Sequence, residues 1–230
     1  MCGIIACTGE DVGSLAVEGL KRLEYRGYDS YGFAWVTGSG GAIQTRKSLE
    51  PLEDLGDRLP QCSAVVGHTR WATHGTVSLE NCHPHSAHDN SFSLVHNGIV
   101  ENYQDLRKTD ITCADVSDTQ VIVRLLETAL SKAASREGAL RDVLDRLGGR
   151  NTILVLFPDG EMLAARHGSP LLVSRTESQY FLSSDLISFA PYTSLYCPIP
   201  EQHIVRIKGK CIALYDATLS LCDIDWVQVE

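Results

Sequence analysis

Hydrophobic positions fall into two kinds of run along this chain. Short, nearly unbroken apolar stretches bounded by glycine, proline or charge predict buried strands. They are "CGIIACT" at 2–8, "YGFAWVTG" at 31–38, "SAVVGHTR" at 63–70 and "FSLVHNG" at 92–98. Past residue 150 come "NTILVLF", "EMLAARH", "PLLVSR", "YFLSS", "IVRIK" and "CIALYD". Apolar residues three and four apart predict amphipathic helices instead. Leu15, Ala16, Leu20 and Leu23 recur this way in "VGSLAVEGLKRLEY". Val121, Ile122, Leu125, Leu126, Ala129 and Leu130 do so in "DTQVIVRLLETALSK", with Ser117 or Asp118 able to cap its start. "SREGALRDVLDRLGG" predicts another helix, stopped at Gly148. "AIQTRKS" pairs with the 31–38 run as a hairpin around "GSGG", and "LEPLEDLGDRL" predicts a short helix. The stretch from Thr73 to Asn90 lacks periodicity, and a segment of that length inside a compact unit points to function. Two helices between two sets of strands give an α+β class with layered sheets rather than alternating βαβ units.

Bulk composition narrows the partners. The chain has 230 residues, 43% hydrophobic and 21% charged, enough for a substantial core. Its formal net charge of −9 argues against nucleic acid or an anionic membrane as partner. No run approaches the roughly 18 apolar residues of a membrane span, and no signal peptide is visible. The eight cysteines, Cys2, Cys7, Cys62, Cys82, Cys113, Cys197, Cys211 and Cys222, show no paired framework. That reads as reduced thiols in a cytoplasmic protein.

Cys2 is the first candidate for chemistry. With Met1 removed it carries a thiol and a free α-amine, whose pKa of roughly 7.7–8.0 lets it take a proton near neutrality. One residue then supplies nucleophile and base. Taken alone, "MC" reads equally as a buried cysteine on a first strand. Arg70, at the end of an apolar run, suits a bidentate carboxylate contact. The Asn97-Gly98 turn offers a side-chain amide and a backbone N–H, the makeup of an oxyanion hole. Asp118, at a helix start, suits an ammonium group. Singly these are a surface ion pair, a hairpin turn and a helix cap. Together they specify a site for a free α-amino acid bearing a carbonyl, which fits an amidase for the glutamine side chain. His68, His74, Cys82, His83, His85, His88 and His96 crowd one region, but without the tight ligand pairs of zinc sites, so no metal is expected. An extended segment would turn His83 and His85 to opposite sides.

The motifs "MCGI", "LEYRGYDS", "GHTRWATHG", "NCHPH", "VHNGIVEN" and "SDTQVI" closely resemble the glutaminase domain of the glucosamine-6-phosphate synthases. These are class II glutamine amidotransferases with an N-terminal nucleophile. The likeness runs through "GSPLLV" and "SSDLISFAP" to "DIDWVQVE", nearly the whole chain. It implies a four-layer αββα sandwich of the N-terminal nucleophile hydrolase type. It implies Cys2 as nucleophile with its α-amine as base, and Asn97 and Gly98 as the oxyanion hole. Arg70 and Asp118 would hold the glutamine carboxylate and amino group. Trp71, Thr73 and His74 would lie on a loop closing over glutamine, and Arg26, Gly27 and Tyr28 on a second loop near the nucleophile. The implied activity is hydrolysis of L-glutamine to glutamate and ammonia through a thioester, with no cofactor. The ammonia would serve amino-sugar synthesis from fructose 6-phosphate on an isomerase domain or subunit. The glutaminase unit would span 2–222, with 223–230 beginning a linker to that domain. A homodimer stays open.

Three positions depart from the family pattern: Ala6, Tyr31 and His203. Tyr31 follows "YRGYDS" directly, where its bulk either packs harmlessly or alters loop closure. Three other readings stand beside the resemblance. A stand-alone amidotransferase subunit would serve another acceptor, an acylase with an N-terminal cysteine would need an apolar acyl pocket, and a non-catalytic domain would keep the fold alone.

Overall fold

Six consecutive buried residues form the first strand, β1 (Gly3–Thr8). It pairs antiparallel with β4 (Ala64–Arg70) on one side and β10 (Tyr180–Ser183) on the other. A strand central in its sheet and covered on both faces needs an unbroken apolar run, which is what "GIIACT" supplies. The computed structural model describes residues 2–38, 40–52, 59–71, 77–110 and 117–229.

β4 also pairs with β2 (Ser30–Val36), and β2 pairs with β3 (Gln44–Ser48), as the hairpin pattern predicts. Beyond β10 the same sheet continues through β9 (Leu172–Arg175), β11 (Leu195–Pro198) and β15 (Val227–Gln228). The second sheet runs β14 (Leu221–Cys222), β13 (Cys211–Tyr215), β12 (Ile204–Lys208), β8 (Met162–Ala165), β7 (Asn151–Leu156), β6 (Ser93–Gly98) and β5 (His85–Ser86).

Strand alternation divides the core into layers. Ile5, Cys7, Phe33, Trp35 and Val65 face helix α1 (Gly13–Arg22), which contributes Ala16, Val17 and Leu20. Ile4, Ala6, Ala34 and Val66 face the other way, against Val95, Leu154, Ala164 and Val205 of the second sheet. The outer face of that sheet, with Leu94, Ile153, Val155 and Leu163, is covered by α3 (Asp118–Leu130) and α4 (Arg136–Leu144). The order is therefore helix, sheet, sheet, helices: the four-layer αββα sandwich.

Local differences from the sequence pattern have physical causes. Ser117, not Asp118, caps α3: its hydroxyl accepts from Gln120 N at 3.3 Å, and Gln120 Oε1 accepts from Ser117 N at 3.1 Å. Asp118 is thereby left to reach elsewhere. α4 stops at Leu144 rather than near Gly148, because the chain tightens into turns that tuck Leu147 into the core. Helix α2 (Tyr103–Asp110) carries no apolar stripe to announce it; Leu106 is buried in the core and Tyr103 packs, partly buried, against it. Most of "LEPLEDLGDRL" lies outside the described residues.

The family departures are absorbed. Ala6 fits the layer between the sheets. Tyr31 is buried in the α1-side core, edge-on to Phe33 at 6.1 Å, so its bulk goes into packing. The His203 ring bonds locally to the Glu201 carbonyl at 2.8 Å. Cys7 lies under α1, where burial pushes its thiol well above the ordinary range. The described cysteines are all free thiols, and Cys113 lies outside the described residues.

Candidate active site

Where the two sheets meet at the β1 start, the layer between them turns polar. β1 and β4 pair with Gly3 opposite Thr69, so Cys2 falls beside the end of β4. Thr69 Oγ1 accepts the Gly3 N–H at 3.2 Å, and Ser184 Oγ accepts the Ile4 N–H at 3.1 Å. These bonds hold the start of β1 in place. The Trp71 N–H points at Cys2 Sγ at 3.4 Å. Burial pushes the Cys2 thiol up from its ordinary value, opposed by the backbone hydrogen bond at Trp71 and by the nearby Arg70 and Arg26 charges.

From the second sheet, β6 brings Asn97. Val95 and Asn97 share the face between the sheets, whereas Leu94 and His96 face the helices. Asn97 is 5% exposed, and its Nδ2 donates to the Cys2 carbonyl at 2.8 Å. Gly98 follows at φ +153°, where a Cβ would run into the Arg150 carbonyl, so only glycine fits. Asp118 Oδ2 accepts the Val100 N–H at 3.2 Å and Oδ1 accepts the Thr119 N–H at 2.9 Å. The carboxylate thus ties the start of α3 to the loop leaving Asn97-Gly98. It retains lone pairs for a further donor.

A short 3-10 turn, Glu24–Arg26, follows α1 and brings in Arg26. Arg26 Nε donates to the Cys2 carbonyl at 3.4 Å, and its Nη1 donates to Asp185 Oδ2 at 3.1 Å. Tyr25 OH donates to the same carboxylate oxygen at 2.6 Å. Gly27 presses against the backbone of Arg70 and Trp71; a Cβ there would lie 2.7 Å from Arg70 C and Trp71 N. Tyr28 and Trp71 meet edge to face at 5.7 Å, both well exposed, at 66% and 43%.

Eight of the residues singled out from sequence are thus linked in one cluster: Cys2, Arg26, Gly27, Tyr28, Arg70, Trp71, Asn97 and Gly98. Asp118 joins through Val100. Thr73 and His74 lie outside the described residues. Sequence reasoning missed Asp185, which anchors Arg26 and also caps the turn Leu186–Ser188 by accepting the Ile187 N–H. Its signal was an aspartate just before a short apolar run in "SSDLISFAP". Thr69 and Ser184, the acceptors for β1, carried no separable signal.

Four of the histidines, His68, His83, His85 and His96, form a buried group, whereas His88 is exposed and His74 lies outside the described residues. Among the described residues no cluster is arranged to hold a metal. The chain bends at His83, so extended alternation does not apply: the His83 and His85 rings meet at 4.8 Å, and His83 stacks on His68 at 4.0 Å. His83 Nδ1 accepts the His96 N–H at 3.1 Å. His96 Nε2 faces Asn151 Oδ1 at 3.0 Å, and its Nδ1 faces Thr119 Oγ1 at 3.1 Å. Burial takes His68 and His85 down to about 3, and lowers His83 and His96 too, so these rings are neutral near pH 7.

Comparison with known proteins bears on the family and the fold. A family model described as "Glutamine amidotransferases class-II" matches residues 28–183, a span that contains Arg70, Trp71, Asn97, Gly98 and Asp118. The glutamine–fructose-6-phosphate aminotransferase (isomerizing) of Caulobacter vibrioides is 39% identical over 231 residues, covering 95% of this chain and 37% of that protein. The enzyme of the same name from Bacillus thuringiensis is 36% identical over 221 residues, covering 93% of this chain and 37% of its own length. The chain therefore spans little more than a third of those relatives. In fold, it matches the glutamine phosphoribosylpyrophosphate amidotransferase of B. subtilis with a TM-score of 0.78 at 19% identity, over 96% of this chain and 50% of that one. A glutamine aminotransferase class-II domain protein from Silicibacter pomeroyi matches with a TM-score of 0.63 at 18% identity, over 94% and 98%. No described helix is long and apolar enough to cross a membrane. With the family model matching β2 to β10, which include strands of both sheets and the polar ends of β4 and β6, the chain belongs to the class-II glutamine amidotransferases.

Proposed function

We propose that this chain hydrolyses L-glutamine with Cys2 as nucleophile and delivers the ammonia to an isomerase domain or subunit that aminates fructose 6-phosphate. The observation that carries the reading is the meeting of Cys2 with Asn97, 95 positions apart in sequence, through the 2.8 Å bond from the Asn97 amide to the Cys2 carbonyl. An amide nitrogen carries two hydrogens. One anchors the strand start; the other is the donor for an oxyanion, paired with the Gly98 N–H.

With Met1 removed, the α-amine of Cys2 takes the thiol proton. The thiolate attacks the side-chain carbonyl of glutamine, and the negative charge moves to the carbonyl oxygen. Collapse of this intermediate breaks the C–N bond. The nitrogen leaves as ammonia with the proton returned by the α-ammonium, and a thioester remains. Water, deprotonated by the same amine, attacks the thioester and releases glutamate and the thiol. Arg26 and Asn97, both on the Cys2 carbonyl, fix the orientation of the residue that does this. Arg70 takes the α-carboxylate and Asp118 the α-ammonium, which discriminates against the acyl chains an acylase would bind. Gly27 packs against the backbone of Arg70 and Trp71, and Tyr28 against the Trp71 ring; Thr73 and His74 are assigned with Trp71 to glutamine binding, and closure over the substrate would retain ammonia and exclude water.

The domain reading follows the same line: residues 2–222 make up the glutaminase unit and 223–230 lead towards the acceptor domain. Before leaving, the chain adds β15 to the first sheet, and Trp226 lies under Arg175 at 4.8 Å. Amino-sugar synthesis is supported by the relatives named above and by "YRGYDS" with "HTRWATHG". On this reading the chain alone, given glutamine and fructose 6-phosphate, forms glutamate and ammonia one to one and no amino sugar. Protein with confirmed Met1 removal that releases neither product would overturn it.

Asp118→Ala tests the ammonium role. KM for glutamine is expected to rise ~10–100-fold, from loss of a charged partner, with a smaller change in kcat. Steady-state kinetics measures both, and an unchanged KM would remove Asp118 from the binding site.

A further inference from the structure

The buried imidazole beside Asn97 has a use that the reaction scheme above leaves unassigned. His68 is 1% exposed on β4, on the face between the sheets that it shares with Val66. Its Nε2 lies 3.1 Å from Asn97 Oδ1 and 3.2 Å from the His96 carbonyl. Both neighbours are acceptors, so Nε2 must carry the hydrogen. Its Nδ1 is buried and finds no hydrogen-bond partner among the described residues, as a bare nitrogen does in a neutral ring. The amide orientation of Asn97 follows. Oδ1 is held by His68, and Nδ2 is therefore turned to Cys2. With the amide flipped, an oxygen would face the Cys2 carbonyl and an N–H would face the His68 N–H. Both contacts would be repulsive.

His68 is itself held. Its ring stacks on His83 with the planes 18° apart. His83 is fixed by the His96 N–H and by Thr119 Oγ1 at 3.4 Å, and Thr119 adjoins Asp118. Rotation of the His68 ring would break the stack and leave its N–H buried without an acceptor.

We propose that His68 is a positioning residue: its Nε2–H fixes the Asn97 side chain so that the amide N–H group faces the nucleophile. The role rests on the reading of Asn97 as oxyanion donor. It acts through Asn97 and not on glutamine, so it bears on kcat rather than KM.

The test combines kinetics with spectroscopy on the full chain after Met1 removal. His68→Phe keeps a flat ring and removes the donor; kcat for glutamine hydrolysis is expected to fall ~10–100-fold, with KM within about twofold. His68→Gln, which restores an N–H donor, is expected to recover part of that loss. In an Asn97→Ala background, His68→Phe should cost less than about twofold more, because both changes remove one interaction. Losses that multiply in the double variant, or an unchanged kcat in His68→Phe, would overturn the proposal while leaving wild-type turnover, and the reading of function, standing. Two readouts need no turnover. In the wild-type protein near pH 7, ¹⁵N spectra should show the His68 ring as the Nε2–H tautomer; the Nδ1–H tautomer or a charged ring would overturn the proposal without any variant. The Asn97 side-chain amide signal, assigned by its disappearance in Asn97→Ala, should shift in His68→Phe. Spectra that agree in a chain unable to release ammonia would instead locate the failure in the reading of function.

Discussion

Cys2→Ala reduces glutamine hydrolysis by ~10⁴-fold or more while the protein stays folded. The size of the loss follows from the scheme: without the sulfur no thioester forms, and the oxyanion donors have nothing to assist. The structural cost is small. Cys2 precedes β1 rather than lying within it, and the shorter bonds that fix the strand start use its carbonyl and its neighbours' N–H groups; its side chain gives up only the long contacts with the Trp71 backbone, the N–H to Sγ at 3.4 Å among them. The effect on stability should fall within about 0.5 kcal/mol, a shift of only ~1–2 °C in Tm for a chain of this size. Cys7→Ala is the informative contrast, since that thiol lies under α1 as part of the core. Normal turnover in Cys2→Ala, measured by ammonia release, would remove the nucleophile and with it the mechanism.

Asn97→Ala has the second largest effect. Loss of one oxyanion donor costs kcat ~10²–10³-fold in well-studied cases, and KM should move far less. Stability falls too, by about 1–3 kcal/mol, because Asn97 is buried and bonded at both ends of its amide. Neither neighbour is left wholly unpaired: Cys2 O keeps Arg26 Nε, and His68 Nε2 keeps the His96 carbonyl. The variant therefore folds, and its kinetics report the site. A kcat unchanged in Asn97→Ala would mean that the oxyanion is stabilised elsewhere.

How much of this was legible in the sequence depended on whether a residue's job is local. Strands such as β1 and β4 were readable because burial on both faces demands a continuous apolar run, and α3 because one face is apolar. α2 was not, since a helix that contributes a single buried leucine leaves no period in its sequence. Cys2, Arg70, Asn97-Gly98 and Asp118 could be picked out because each sits at one end of an apolar run, where a polar residue stands out. Their convergence could not be read this way, because it depends on β4 and β6 lying in different sheets that face each other. Asp185 and His68 were harder still. Asp185 looks like an ordinary helix cap, and it does cap a turn, yet its second oxygen also fixes Arg26. His68 sat among seven possible metal ligands, and only the direction of its ring separates a ligand from a hydrogen-bond donor. Ser117 and Asp118 can each cap α3 by sequence; the structure gives the role to Ser117, and the Asp118 carboxylate reaches the Val100 N–H instead.

The central claim is that Cys2, as the first residue, is the nucleophile for glutamine. An electrophilic glutamine analogue, with a diazo ketone in place of the side-chain amide, tests it directly when read by intact-mass and peptide mass spectrometry. Protein lacking Met1 should gain one adduct per chain, located on Cys2 alone among the eight cysteines, and protein retaining Met1 should gain none. Fully processed protein that gains no adduct, or gains it on another cysteine, would contradict the account.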